Sequence, residues 1–173
     1  MSGVKTDKVI KPDFSWSCED ISEIKKKYNL NKYLILFPFS SSHLTIKRWP
    51  YYNELINKIK SSLRDEIQIL IAPGPNEIKL ANDIDANIIL NNDKALSISQ
   101  LSSLIKDSYF VISNDTGPAH IASHVTAKGL TLFGKHTTAH KVSIERENFK
   151  SIQVTDLNNL SANKVFERLL DLL

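Results

Sequence analysis

Short runs of unbroken apolar residues recur along the chain, each followed by a stretch where apolar residues return every third or fourth position. Tyr33-Leu34-Ile35-Leu36-Phe37 is apolar throughout and stops at Pro38. A strand buried on both faces of a parallel sheet reads this way. Further strands are predicted over 67–71, 87–90, 109–112 and 130–133, with a last one at Ile152-Gln153-Val154. Helical spacing separates them. One helix is expected from near Ser17 through Ile21, Ile24 and Tyr28, and a second, with Pro50 in its first turn, buries Leu55, Ile56, Ile59 and Leu63. A short helix is predicted over 76–82 and another over 119–125. Ser97 and Gln100 form a capping-box pattern ahead of Leu101, Leu104 and Ile105. Ser161 caps a final helix whose buried side is Val165, Phe166, Leu169 and Leu170. Strands alternating with helices imply right-handed crossovers and an α/β, doubly wound parallel sheet. Ligands of such folds sit beyond the carboxyl ends of the strands. The loops beginning at Pro38, Ala72, Leu90, Ser113 and Gly134 are therefore the ones to search.

The 173 residues suit one domain, predicted over 17–173 behind a polar linker or tail at 1–16. With 42% hydrophobic and 24% charged residues, the composition is that of a globular protein. A net charge of +3, with one cluster at Lys25-Lys26-Lys27, reads as a solvated helix face; no nucleic-acid partner is expected. A single cysteine, Cys18, expected at a helix start, allows no internal disulfide and fits a reducing compartment. The apolar run 33–39 is too short to span a bilayer, and the polar N-terminus has no secretory signal, so a cytoplasmic location is expected.

Glycine placement narrows the chemistry. The five glycines form neither a GxGxxG fingerprint nor a P-loop, and no GxSxG elbow is present. The most informative loop is Ser113-Asn114-Asp115-Thr116-Gly117-Pro118-Ala119-His120, which follows a strand and opens a helix. Gly117 permits close backbone approach, and helix-start amides favour an anion such as a diphosphate. Asp115 suits sugar hydroxyls better than phosphate, although Asp115 or Thr116 as a simple helix cap fits the spacing equally well. The loop 40–50 gathers hydroxyls, among them Ser42, with Lys47 and Arg48 ahead of Trp49-Pro50. It reads either as a phosphate-binding loop or as an exposed basic loop anchored by Trp49. Glu77, in Pro73-Gly74-Pro75-Asn76-Glu77, is either a ribose acceptor or a first-turn partner of the helix dipole. His120 and His124, and likewise His136 and His140, are spaced four apart, but no third ligand is arranged for a metal.

Taken together, Lys47-Arg48-Trp49-Pro50, Asp115-Thr116-Gly117-Pro118-Ala119-His120 and Leu132-Phe133-Gly134 resemble the C-terminal domain of glycosyltransferase family 9, the heptosyltransferases. That resemblance implies a Rossmann-like lobe, the C-terminal half of a GT-B fold, with a nucleotide-sugar donor, ADP-heptose or a related one, and a role in lipopolysaccharide core biosynthesis. It implies inverting transfer with no metal and no cofactor. It also assigns Lys47, helped by Ser42, to the donor diphosphate; Thr116 and Gly117 to the phosphates; Asp115 to the sugar; Glu77 to the ribose; and His120 to support of the site. Lys47 and Asp115 would support catalysis, while the general base and the acceptor site would lie in an N-terminal domain supplied by a separate partner. Contact with the inner face of the membrane would come through a lipid acceptor. The loop 135–140 departs from the family's proline-rich, aspartate-bearing sequence, so the resemblance assigns nothing there. Two other readings stay open: a non-catalytic nucleotide-sugar-binding module or remnant, and an unrelated α/β enzyme using His120 and Asp115 as an acid–base pair.

Overall fold

The computed structural model describes residues 12–63 and 67–173; the expected tail falls outside them as far as residue 11. Six strands, β1 (Tyr33–Phe37), β2 (Gln68–Ile71), β3 (Asn87–Ile88), β4 (Phe110–Asn114), β5 (Gly129–Phe133) and β6 (Phe149–Gln153), form one sheet. Their order is β3-β2-β1-β4-β5-β6, and every neighbouring pair is parallel. The chain winds outward from β1 in one direction and then from β4 in the other. The switch point therefore lies between β1 and β4, where Leu34 pairs with Phe110 and Phe37 with Ser113.

Alternation along β1 divides the core into two layers. Tyr33, Ile35 and Phe37 face one layer with Ile24 of α1 (Ser22–Lys27), Leu104 and Ile105 of α4 (Ile98–Lys106), and Ala119 and Ala122 of α5 (Gly117–His124). Leu34 and Leu36 face the other, with Leu55, Ile56 and Ile59 of α2 (Tyr52–Leu63) and Val165 and Leu169 of α7 (Ala162–Leu172). Each fully buried Leu or Ile side chain contributes roughly 1.5–3 kcal/mol, so β1 alone anchors both layers. The capping box at Ser97 and Gln100 is present, with each side chain accepting from the other's backbone amide.

Several boundaries differ from the sequence pattern. The helix expected near Ser17 begins at Ser22, because Ser15–Ser17 is only one 3-10 turn and the Asp20 carboxylate takes the Ser22 amide at 3.0 Å. Cys18 is thus in extended backbone, half-buried against the first layer, and not at a helix start. Pro50 stands ahead of α2 and outside its first turn. Helix α3 (Ile78–Ala81) is shorter than expected, and α6 (Ala139–Val142), capped by the Thr138 hydroxyl, rises from a loop read as irregular. Strand β6 begins three residues early. Its Phe149 ring packs over Gly129 so closely that a Cβ there would lie 2.7 Å from it. Leu170 turns outward and is 46% exposed, since the α7 stripe runs through Val165 and Leu169.

Candidate functional site

The carboxyl ends of β1, β2 and β4 open into a cleft of about 540 Å³. Lys47, Glu77, Asp115, Thr116 and Gly117 line it, together with a mostly apolar wall that includes Ile98. The loop after β1 owes its course to three buried groups. Asn114, at the end of β4, donates from Nδ2 to the Pro38 carbonyl at 2.8 Å. Its Oδ1 accepts from the Trp49 amide at 3.2 Å and the Tyr52 hydroxyl at 3.3 Å. Trp49 is 2% exposed, donates from Nε1 to the Leu160 carbonyl at 2.7 Å and packs edge-on against Tyr52. With Trp49 fixed in the core, Lys47 two residues earlier reaches the cleft. Arg48 does not: it donates to the carbonyl of Ser40 at 2.7 Å and to its hydroxyl at 3.1 Å, tying the loop to itself.

Asp115 is the charged centre of the site and is 2% exposed. Lys47 Nζ donates to its Oδ2 at 2.8 Å and to its backbone carbonyl at 3.1 Å. His136 Nε2 lies 3.0 Å from the same Oδ2, and His120 Nε2 lies 3.7 Å from Oδ1. Burial pushes the carboxyl pKa up, but His120, Lys47 and His136 together outweigh burial and hold it well below the usual carboxylate range. The capping alternative is not what forms. Thr116 occupies the N-cap of α5 in extended backbone, and no side chain caps the helix. In the first turn of α5, Pro118 has no N–H, and the Ala119 and His120 amides donate to the Thr116 carbonyl at 3.0 and 3.4 Å. Gly117, which lines the cleft, therefore carries the amide with no intrahelical acceptor. A Cβ built on Gly117 meets nothing within 4 Å, so the space before that helix start is open.

Glu77 lines the cleft, and its Oε2 accepts the Gly74 amide at 2.9 Å, which closes the loop after β2. Ser42 is exposed in a turn and is not brought to the cleft; Ser40 and Ser41 are. The histidine pairs separate by function of place. His124 Nδ1 lies 3.3 Å from the Pro12 carbonyl and 3.3 Å from Arg146, away from Asp115, and burial lowers its pKa. His120 and His136, from different pairs, converge on Asp115 instead. Among the described residues, no group of three His, Cys, Asp or Glu side chains is arranged to hold a metal ion. Sequence reasoning missed Asn114 and His136. The position of His136 just after Gly134, in a loop already marked for search, was the available signal.

A doubly wound parallel sheet with its cleft over the switch point, a lysine–carboxylate pair and an open helix start defines a Rossmann-like domain with a candidate small-molecule site. The model of glycosyltransferase family 9 (heptosyltransferase) matches residues 3–167, and the chain belongs to that family. Among solved structures, it is similar to the Escherichia coli heptosyltransferase WaaC with ADP, at 21% identity and a TM-score of 0.70, over 83% of this chain and 45% of that one. Similarity to the E. coli ADP-heptose lps heptosyltransferase II is at 17% identity and a TM-score of 0.71, over 87% and 50%. The UDP-GlcNAc 2-epimerase from Methanocaldococcus jannaschii shares the fold at 14% identity and a TM-score of 0.55, over 86% of this chain and 42% of that one. The chain thus spans about half the length of the structures it matches, as one Rossmann-like lobe of a GT-B fold. No curated protein sequence matches it. Among the described residues, no helix is long and apolar enough to cross a membrane.

Proposed function

We propose that this chain is the donor-binding lobe of a heptosyltransferase-like glycosyltransferase, with ADP-heptose or a related nucleotide sugar as its donor. The observation that carries the reading is the convergence of Lys47, Asp115 and the start of α5 on one cleft. A diphosphate would meet the Lys47 ammonium and the Gly117 amide at the start of α5, where the helix dipole also favours the charge of a departing nucleoside diphosphate. Asp115 would accept from a sugar hydroxyl and Glu77 from the ribose. The two similar heptosyltransferases, one with ADP and one named for ADP-heptose, support this choice of donor. On this reading the acceptor is a lipopolysaccharide core, approached from a second lobe at the inner face of the membrane.

Transfer also needs a group to take the acceptor's proton. Asp115 is poorly matched to that task, because its Oδ2 is already bonded twice and its pKa is held low. The same fact weighs against a His120–Asp115 acid–base pair. Donor binding without turnover by this chain is the expected behaviour. Calorimetry with ADP-heptose tests it: saturable binding is expected, lowered at least about tenfold in Lys47→Ala, the loss of one charge-assisted contact. Absence of binding by ADP or any ADP-sugar would remove the reading. Sugar transfer by this chain alone would place a general base within it and overturn the expectation of binding without turnover.

A further inference from the structure

Resting on the donor-binding reading, we propose that His136 is a positioning residue of the site. It grips Asp115 by Oδ2, so that Oδ1 stays presented to a donor hydroxyl when Lys47 turns to the diphosphate.

The two oxygens of Asp115 are not equivalent. Oδ2 accepts from Lys47 at 2.8 Å and faces His136 Nε2 at 3.0 Å. Oδ1 has His120 at 3.7 Å, beyond hydrogen-bond length, and is the oxygen left for a ligand. A bound diphosphate competes for the Lys47 ammonium, since a lysine is a point charge on a flexible stem. If Lys47 were the sole anchor, donor binding would release the carboxylate just as the sugar needs it. His136 removes that conflict.

The imidazole is built for this role. Its side chain is 10% exposed, and its ring stacks on Phe133 at 6.2 Å between centroids and 22° between planes. An ionised carboxylate only accepts, so the hydrogen sits on Nε2. Nδ1 is buried without a partner, beside Gly134, so a second proton there would be a buried donor with no acceptor. His136 therefore donates to Asp115 through Nε2, with Nδ1 facing no acceptor. His136 itself is absent from the cleft lining and acts through Asp115. It stands in the loop 135–140, where the sequence departs from the family pattern.

Two variants separate the role from simple packing. His136→Phe keeps the ring on Phe133 and removes the donor; His136→Gln restores an N–H of similar reach. Affinities for ADP and for ADP-heptose are measured by calorimetry on each folded variant. In His136→Phe, ADP-heptose binding is expected to weaken about tenfold while ADP binding changes by less than about twofold, and His136→Gln restores the wild-type ratio. An unchanged ratio in the Phe variant, or an equal loss for both ligands, overturns the positioning role and leaves donor binding standing. A wild-type chain that binds neither ligand overturns the donor-binding reading itself. Side-chain nitrogen NMR of the wild-type chain adds a test that no variant's folding can obscure. A hydrogen on Nε2 of His136, bonded to the Asp115 carboxylate, is expected; an Nδ1–H tautomer with a bare Nε2 would sink the proposal.

Discussion

At Asp115 a single side chain joins stability to function. Its folded pKa lies below the unfolded value of ~3.9, so its stabilisation is whole above about pH 4 and is lost as pH falls through the folded value. Thermal unfolding from pH 6 down to pH 2 should show an acid-side loss of stability that is shallower in Asp115→Asn; equal slopes would mean the carboxylate is not paired. Two glycines make opposite predictions. Gly129→Ala drives a methyl to 2.7 Å from both the Phe149 ring and the Val111 carbonyl, and should cost about 1–3 kcal/mol or more in chemical denaturation. Gly117→Ala meets open space and should leave unfolding unchanged. Its effect belongs to the ligand: a methyl at the mouth of α5 should weaken nucleotide binding, as calorimetry would show. The Asp115-Thr116-Gly117 segment was legible as a cleft-lining loop because short polar residues and glycine follow a buried strand. The choice between sugar acceptor and cap was not legible, because both use the same residue types at the same spacing. The absence of the cap is decided by Lys47 and His136, 68 and 21 residues away in the chain, which hold the Asp115 carboxylate instead.

Elements behaved according to how strongly their local signals agreed. Helix α4 has both an apolar stripe and a capping box, and it starts where the pattern places it. Ser97→Ala should lower the melting temperature through a loss of about 1 kcal/mol, and Ser97→Asp should recover most of it. Helix α6 and the start of β6 lacked such agreement. Thr138 caps a four-residue helix with no apolar stripe, and Phe149-Lys150-Ser151 has no alternation to mark a strand. Pairing with β5 decides the latter, as each β6 residue from Phe149 to Gln153 has a partner there. The loop after β1 is fixed in the same nonlocal way. Asn114 at the end of β4 holds the Pro38 carbonyl and the Trp49 amide, so Lys47 is aimed by a residue on another strand. Asn114→Ala leaves those buried groups unmet, at a cost of about 1–3 kcal/mol, and should weaken nucleotide binding more than its distance from the ligand suggests. Binding equal to wild type would show that the loop holds its course without it.

For the whole molecule, the sequence by itself determined the α/β class and the position of the cleft. Unbroken apolar strands can be satisfied only by helices on both faces, and right-handed crossovers then put the loop ends of β1 and β4 at the switch point. It also supplied the residues by which family membership was legible, namely Lys47 to Pro50 and Asp115 to His120. Tertiary structure alone decided who meets whom. It took Ser42 out of the cleft, turned Arg48 back onto its own loop, and brought His120 and His136, one from each spaced pair, to one carboxylate. Periodicity reports which face of an element is buried. Ion pairs and hydrogen bonds across loops depend on distances between elements, which no local pattern encodes.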